Sequence, residues 1–540
     1  MPANKPLRWQ AAITLAAALA ILSGCETVPT RGTDSFVASP AKSPALHPTG
    51  ELPPPAARAW PGTEQDVLNE RAKGFGLVNA PEAQAYLNRL YARIKDKAGV
   101  PAWPGEVHLL ADQSLNAYAT GAGNIYLSLP WFTSVESEDE LVALLSHEFA
   151  HIYLHYHLLD TAVQDADTVM SLSSAAYALA RKTAEVKGWN KLDSLVTAYV
   201  LGRGAATVQY GRSQESAADM LGLNLSLKLG YSYEHGMKAF LERLASWEDD
   251  NVALQKQRQE ALVAEVRKQA RDETMRDSAK RGGNALIAQG AGELNASING
   301  FFKQVGIGVE NLSARLASRH PETTERISTL AQAVAPVPAL LAPSRPVSAP
   351  LEAVRQDRRT AALLANYALA FEAIAAPAAP ASIAAAQKAA SGNTATHAVP
   401  LYALYLVFEA QPAAMGKKRF DPALLLDKNL ESAPDRAWKV YVVRSERLKD
   451  GQRANARKIL DAGLQYFQNA EEAWPDAVRF YGETQGWDEA KRMAGNCGQR
   501  FRRVSQRCTN AAASPAERAA QEKQTEQKAS SMVDKLFKKK

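Results

Sequence analysis

Apolar residues recur at three- and four-residue steps along most of the chain, which is the period of an amphipathic helix. One clear run comprises Ala83, Tyr86, Leu87, Leu90 and Ile94. Two short runs, at 107–111 and 125–129, instead predict strands, and the Gly-rich turn at 121–124 makes the second part of a hairpin or an edge strand. The pattern therefore predicts a mainly α-helical protein with a small sheet, in the α+β class.

The same pattern changes along the chain and predicts several segments. Prolines cluster between residues 336 and 350, as in a linker, and beyond them the chain is Ala-rich and helix-periodic. Small and aromatic residues at 456–475 loosely match a tetratricopeptide repeat, whereas a helical domain that only packs on the preceding one is the alternative. The predicted organisation is a signal peptide at 1–24, a flexible tether at 25–62, a catalytic domain at 63–335 with an insertion at about 246–300, a linker at 336–352, a helical-repeat domain at 353–510 and a polar basic tail at 511–540.

The N-terminus has the shape of a secretory signal. Two basic residues precede an apolar run at 11–22, which is too short for a stable membrane span. The sequence Leu22-Ser23-Gly24-Cys25 resembles a bacterial lipobox, in which the cysteine is lipidated, and Glu26 after it implies passage to the outer membrane. An ordinary signal peptide with an incidental cysteine is the alternative. No later stretch approaches about 18 uninterrupted apolar residues, so we expect the mature chain not to span a membrane.

Composition and charge indicate a globular protein without a nucleic-acid partner. The chain is 46% hydrophobic and 22% charged, which is typical of a soluble domain. Its net charge of +6 is partly due to Lys535 and the final Lys538-Lys539-Lys540. A solvated basic tail is therefore expected rather than a nucleic-acid-binding surface.

Three cysteines are present. Lipidation would use Cys25, which leaves Cys497 and Cys508 in a polar segment. An oxidising compartment would join these two in a disulfide, whereas two free thiols are the alternative.

The strongest chemical signal is the H-E-x-x-H run His147-Glu148-Phe149-Ala150-His151. A capping box, Ser137-x-x-Glu140, begins the helix that carries it. Histidines four residues apart lie one turn apart on one helical face, so both imidazoles can reach one ion, and Glu148 lies beside the open coordination position. A pair of hydrogen-bonded core histidines is the alternative.

Two further histidines near this motif do not suit the same ion. At about 1.5 Å per residue, His155 lies roughly 12 Å along the axis from His147, too far for one zinc ion on an unbroken helix. His157 has the spacing of the third metzincin histidine, but that pattern requires glycine where this chain has Leu154. The helix then continues and turns His157 away.

A better third ligand lies downstream, at Glu215. Asp219 follows it one helical turn later, where a second carboxylate can hold a metal-bound histidine by its other ring nitrogen. Small residues at 216–218 would let another backbone pack closely. Two solvated carboxylates on a surface helix are the alternative.

Several motifs occur together in order over about residues 63–332. They are Asn116-Ala117, Gly123-Asn124-Ile125-Tyr126, Glu138-Asp139-Glu140-Leu141, the H-E-x-x-H run, Arg212-x-x-Glu215-x-x-Ala218-Asp219, and Ser318-Arg319-His320-Pro321 with Glu325-Arg326-Ile327. Together they resemble the HtpX and CAAX-prenyl-protease class of gluzincin metallopeptidases, in particular its soluble, BepA-like periplasmic branch. The resemblance implies one zinc ion held by His147, His151 and Glu215, with Glu148 as general base. It also implies that His320 approaches the metal, to assist the reaction or to occupy the open position, whereas a structural His-Pro turn is the alternative.

The resemblance implies a zinc metalloendopeptidase that is lipid-anchored at the periplasmic side of the outer membrane. Misfolded or misassembled outer-membrane and other envelope proteins are the expected substrates, and the helical repeats would hold them or the assembly machinery. The strand at 125–129 is expected to align an extended substrate by edge pairing. A periplasmic chaperone or outer-membrane assembly factor with a self-blocked metal site is the alternative, although Glu148 would be of no use to a purely structural zinc.

Overall fold

A computed structural model describes residues 46, 51–55, 60–154, 212–247, 323–416 and 420–520. Over these ranges the protein is mainly helical, with one three-stranded sheet and an all-helical C-terminal region, which confirms the predicted fold class. None of the described helices is both long enough and apolar enough to cross a membrane. The predicted signal peptide with Cys25, nearly all of the insertion at 246–300 and the end of the tail lie outside the described residues.

The sheet has the strand order β1-β3-β2, with β1 at Val107–Leu110, β2 at Ala117–Ala119 and β3 at Ile125–Ser128. Strand β3 pairs in parallel with β1 and antiparallel with β2. The expectation that 125–129 offers a free edge to a substrate is therefore wrong. Both sides of β3 are already hydrogen-bonded. Among the described residues, β2, the first strand of the hairpin, is an edge strand, whereas the outer side of β1 is hydrogen-bonded to residues 76–78.

Seven helices surround the sheet in the N-terminal part of the described chain. They are α1 at Thr63–Arg71, α2 at Pro81–Lys97, α3 at Leu129–Ser134, α4 at 138–154, α5 at Arg212–Lys228, α6 at 239–247 and α7 at Thr323–Val334, with a π-helical turn at Glu234–Lys238 leading into α6. Helix α2 buries the apolar stripe that the sequence pattern predicts. Its Tyr91 ring lies 5.9 Å from the Phe149 ring of α4, so the two helices share one core.

Helix α4 is the centre of this core. The hydroxyl of Ser137 accepts a hydrogen bond of 3.1 Å from the backbone N–H of Glu140, as the capping motif predicts. The Glu140 carboxylate in turn accepts from the N–H of Glu136 at 2.8 Å. Apolar residues on every side of the helix are buried, so its polar residues are held away from bulk water.

The C-terminal part of the described chain consists of stacked helices. They are α8 at Ala349–Arg355, α9 at Arg358–Ala375, α10 at Ala381–Ala389, α11 at Ala398–Ala410, α12 at Ala423–Ser432, α13 at Trp438–Leu448, α14 at Arg453–Tyr466, α15 at Trp474–Gln485, α16 at Trp487–Arg500 and α17 at Ser505–Ala511, with short 3₁₀ turns at Pro338–Leu341, Gly392–Thr394, Pro412–Met415 and Glu471–Ala473. At Gly463 of α14, an added Cβ would lie 2.7 Å from Cγ of Tyr441 on α13, so this glycine permits close helix packing. A disulfide between Cys497 and Cys508 joins α16 to α17.

The proline-rich segment lies against the start of α4. Val347 accepts a hydrogen bond of 2.6 Å from the N–H of Glu138 and donates one of 2.7 Å to Asp139. The guanidinium of Arg355 donates to the carbonyl oxygens of Phe132 and Val135, each at 2.7 Å through Nη2. One hydrophobic core extends from Val78 to Val407, so the first C-terminal helices pack together with the sheet and α4.

Candidate metal centre

Helix α4 and helix α5 bring three donor groups to one point. Nε2 of His147 lies 3.2 Å from Nε2 of His151, which is the distance expected when two imidazoles face a common centre. The carboxylate of Glu215 completes the triangle, with its oxygens 3.6 Å from His147 Nε2 and 3.7 Å from His151 Nε2. Within the described ranges, these residues form the one group of three or more His, Cys, Asp or Glu side chains with converging ligand atoms.

The dimensions of this triangle suit zinc. Zinc binds histidine nitrogen at about 2.0–2.1 Å with tetrahedral geometry, which places two ligand atoms roughly 3.3 Å apart. The three observed edges lie close to that value, and two nitrogens with one carboxylate oxygen are a donor set that zinc accepts. All three side chains are buried, so a cation would offset the cost of burying Glu215 and of packing two imidazoles face to edge.

A glycine on α5 allows the two helices to cross this closely. A Cβ placed at Gly222 would lie 2.9 Å from the backbone nitrogen of His147 and 3.0 Å from its Cα. Such distances are too short for real Cβ contacts, so any side chain at Gly222 would push α5 away from α4. The close approach therefore depends on Gly222, one turn beyond the small residues at 216–218.

Asp219 lies behind His147 and is itself held by an arginine. Its Oδ1 is 2.9 Å from Nδ1 of His147, the ring nitrogen that faces away from the candidate metal position. Arg326 of α7 makes a bidentate contact with Asp219, at 2.8 Å through Nε and 2.6 Å through Nη2, and places Nη1 3.2 Å from Glu215. One guanidinium thus bridges both carboxylates of α5.

Arg326 lies in the motif Glu325-Arg326-Ile327, in which the sequence alone assigns no role to the arginine. The pattern of α7 did contain a signal. Buried residues of this helix are Thr323, Arg326, Leu330 and Val334, so the arginine occupies a position in the apolar stripe. An arginine in such a stripe requires a buried acidic partner, and Asp219 is that partner.

These contacts shift the pKa values of Asp219 and His147. Burial alone would raise the pKa of Asp219, but the charge and hydrogen bonds of Arg326, with those of His147, hold it well below its usual range. Burial alone would lower the pKa of His147, but Asp219 outweighs that effect and raises it. Asp219 therefore stays ionised, and a bound divalent cation would lower the pKa of the neighbouring histidine again.

Glu148 has the opposite balance. Burial raises its pKa to about 7, with a contribution from the negative charge of Glu215, against the lowering influence of His147, Arg326 and a backbone hydrogen bond from Ala119. Ala119 belongs to the edge strand β2, so the strand and Glu148 lie side by side. A carboxylate with a pKa near neutrality can accept and release protons at physiological pH.

Other candidate residues lie outside the described residues. These are His155, His157, His320 and Cys25. Their predicted roles, and the exclusion of His155 and His157 as ligands, stay predictions.

Comparisons with known proteins agree with the resemblance read from the motifs. Residues 81–334 match the model of peptidase family M48. A putative beta-barrel assembly-enhancing protease of Vibrio cholerae serotype O1 is 27% identical over 173 residues. The beta-barrel assembly-enhancing proteases of Escherichia coli K12 and Yersinia pestis are 25% and 23% identical over 174 and 175 residues. Each match covers 31% of this chain, and the chain spans 34% of the length of these relatives.

Proposed function

We propose that this chain, whose residues 81–334 form a peptidase family M48 domain, is a zinc-dependent metalloendopeptidase that degrades misfolded or misassembled envelope proteins. One observation supports the activity above all. The donor atoms of His147, His151 and Glu215 converge, and Glu148 follows His147 directly on α4 and interacts with the charges of His147 and Glu215. This is the arrangement that metal-assisted peptide hydrolysis requires.

His147, His151 and Glu215 would hold the zinc ion. When bound, zinc acts as a Lewis acid and lowers the pKa of a coordinated water molecule to about 7. Glu148 accepts a proton from the attacking water and later passes it to the leaving amine. Burial raises the pKa of Glu148 in the metal-free protein, and a bound cation would lower it again, which favours the carboxylate form that accepts the proton.

Asp219 and Arg326 orient the ligands. The contact of 2.9 Å between Nδ1 of His147 and Asp219 holds the ring so that Nε2 points to the metal position. Arg326 holds Asp219 in place and partly balances the charge of Glu215. Removing either residue would therefore loosen the ligand set without deleting a ligand.

Strand β2 is the surface on which an extended substrate would align. It is the edge strand of the sheet, and an extended peptide can add to such an edge by backbone hydrogen bonds. Ala119 of β2 contacts Glu148, so a peptide paired along this strand would pass next to the general base.

We further propose that the protein acts in the bacterial periplasm, anchored to the outer membrane by a lipid on Cys25. The lipobox-like sequence supports the anchor, and the disulfide between Cys497 and Cys508 suits an oxidising compartment. The names of the matched relatives support envelope proteins as substrates. In this proposal the C-terminal helices hold substrates or the outer-membrane assembly machinery.

The decisive test compares the wild-type protein with Glu148→Gln on unfolded outer-membrane proteins, and measures the zinc content of both. Glutamine keeps the shape of the side chain but cannot accept the proton, so cleavage should fall by about 10²–10⁴-fold while zinc stays bound. Glu136→Gln is the matched control, because Glu136 lies just before the same helix and its side chain is 87% exposed. Equal cleavage by wild type and Glu148→Gln, or no zinc in either, would rule out the protease.

The same experiment tests the alternative of a chaperone or assembly factor. If Glu148→Gln retains zinc, has lost cleavage and still supports outer-membrane assembly, the chaperone function gains support. His320→Ala should raise cleavage if His320 occupies the open metal position, and lower it if His320 assists the reaction. Unchanged cleavage would remove His320 from the site. Cys25→Ala that remains with the membrane fraction would contradict the lipid anchor.

A further inference from the structure

Helix α1 contacts both the edge strand and the C-terminal helices through buried polar side chains. On the side of the sheet, the Glu70 carboxylate accepts a hydrogen bond from the hydroxyl of Tyr118, in the middle of β2. One turn earlier, Oδ2 of Asp66 accepts from Thr120 and Tyr126 of the same hairpin, each at 2.8 Å. The hairpin that forms the edge of the sheet is thus bound to α1 by two carboxylates.

On its other side, α1 is bound to the 3₁₀ turn before α15. The amide of Asn69 donates to Glu471 at 3.1 Å, and the backbone N–H of Glu471 donates to Oδ1 of Asn69 at 3.0 Å. These residues are 402 positions apart, and both are buried. Nη1 of Arg503, in the connection between α16 and α17, lies 3.3 Å from the carboxylate of Glu471. The position of α1 therefore depends on how the C-terminal helices pack.

Glu70 connects the two sides. It is 1% exposed and follows Asn69 directly in α1, so the two side chains move with the same backbone. Its second oxygen contacts Nζ of Lys73 at 2.6 Å, and Lys73 lies 4.0 Å from Glu472 of the C-terminal turn. A buried carboxylate with partners on both sides has little freedom, because losing a partner leaves a charge without compensation.

Strand β2 depends on this contact for its position. Its other two residues, Ala117 and Ala119, have no polar side chain, so the hydroxyl of Tyr118 is the side-chain polar group of the strand. Burial and the charge of Glu70 raise the pKa of Tyr118 well above its usual value, so the hydroxyl keeps its proton and donates. The backbone of the next residue, Ala119, interacts with the carboxylate of Glu148 and lowers its pKa. A shift of Tyr118 would therefore move the backbone that faces the general base.

We propose that Glu70 is a positioning residue, which holds β2 in register with Glu148 through Tyr118, and that the C-terminal helices set its place through the Asn69–Glu471 pair. The catalytic part of this proposal rests on the proposed peptidase function. The C-terminal helices would then influence cleavage by fixing the edge strand, in addition to any contact with substrates. Glu70 itself touches no reacting atom in this scheme.

The test combines hydrogen exchange with kinetics on the full-length protein. Tyr118→Phe removes the donor at β2, Glu70→Gln removes the charge of its acceptor, and Asn69→Ala removes the contact at the C-terminal side. Glu64→Gln is the control, because Glu64 lies on the same helix, is exposed and loses the same charge. Tyr118→Phe also covers the case in which Glu70→Gln does not fold, since Tyr118 is only half-buried.

We expect amide exchange in peptides covering 115–120 to accelerate at least about tenfold in all three variants, the factor that corresponds to a lost hydrogen bond to a charged group. Amide exchange in α2 and the zinc content should stay at wild-type values in these variants. The Glu64→Gln control should match the wild type in every measurement. Cleavage of a long extended peptide should lose a similar factor in kcat/KM. The double variant Glu70→Gln/Tyr118→Phe should lose less than the sum of the two single variants, because both changes act on the same bond.

The outcomes separate this inference from the proposed function. Unchanged exchange in β2 would overturn it, and so would faster exchange that spreads equally to α2, since that would mean general destabilisation. If the wild type cleaves, and the variants show faster exchange in β2 but the same kcat/KM as the wild type, the inference is also overturned. If the wild type does not cleave, the peptidase proposal fails, and the exchange experiment with Asn69→Ala alone decides whether the C-terminal helices hold the strand.

Discussion

At the scale of single residues, the site consists of charges whose burial makes each contact decisive. Asp219 has contacts with both His147 and Arg326, and all three side chains are at most 8% exposed. Because there is little water to replace a lost partner, a change of one atom in this group affects its neighbours. Two predictions belong to this scale.

Asp219→Asn should weaken zinc binding by about 10–100-fold, the usual effect of losing the group that orients a metal-bound histidine. Asparagine carries no charge, and its amide nitrogen cannot replace Oδ2 as the acceptor for Nε of Arg326, so the bidentate contact that holds the acceptor of His147 in place is lost. Competition with a chromophoric chelator measures the affinity. Asp96→Asn, an exposed change on α2, is the control, and equal affinity in both variants would contradict the role of Asp219.

Glu148→Gln should stabilise the metal-free protein at alkaline pH. The pKa of Glu148 is raised to about 7 by burial, so the folded protein favours the protonated form. Its folded pKa lies above the unfolded value of about 4.3, so stability is lost as the pH rises from that value through 7, by about 4 kcal/mol at most. Urea unfolding in a chelator should give equal free energies of unfolding at pH 4 and a more stable variant at pH 8. If wild type and Glu148→Gln differ in free energy of unfolding by the same amount at pH 4 and at pH 8, the prediction is contradicted.

At the scale of elements, the position of the site depends on how α4 and α5 cross. Each helix contributes its own pair of residues four apart, but the pairs meet only where Gly222 lets the backbones approach. The sheet has a similar dependence, because the parallel pairing of β1 takes one side of β3 and leaves β2 as the edge.

Gly222→Ala should destabilise the protein by about 1–3 kcal/mol and weaken zinc binding, because the added methyl group overpacks the crossing and displaces Glu215 from the histidines. Gly495→Ala is the matched control. Gly495 is exposed on helix α16 with open space around it, so alanine there should be neutral or slightly stabilising. Urea unfolding and metal titration measure both effects, and Gly222→Ala that behaves as Gly495→Ala would show that the helices do not need this contact.

At the scale of the whole molecule, the N-terminal part of the described chain and the first C-terminal helices share one core. Helices α9 and α11 contribute Tyr367, Ala370 and Val407 to the cluster that also contains α4. Phe75, just after α1, lies 5.1 Å from the ring of Tyr402 and 6.4 Å from that of Phe371. The segment predicted as a linker runs between these parts in contact with α4.

A fragment of residues 60–352, which ends at the predicted linker, should therefore not unfold cooperatively. It would expose the apolar surface that α9 and α11 cover, at a cost of roughly 25 cal/mol for each Å². Limited proteolysis and thermal unfolding, compared with a fragment of residues 60–520, would measure this. A shorter fragment that is as protease-resistant as the longer one would show that the domain folds independently of the helices.

Local spacing along the sequence determined much of this protein. An α-helix repeats every 3.6 residues, so the sequence alone places His147 and His151, and likewise Glu215 and Asp219, on common faces one turn apart. The apolar period also predicted the mainly helical class and the buried stripe of α2. These features follow from neighbours in the chain, and they do not depend on how distant elements pack.

Only the tertiary structure decided which distant residues complete the site. Arg326 reaches Asp219 from 107 positions away, and Asn69 meets Glu471 across 402 positions. The crossing at Gly222 and the position of β2 at the edge of the sheet are likewise features that only the tertiary structure decided. Each depends on the relative placement of whole helices and strands, which is set by packing over the entire core and has no signature in the spacing of one segment.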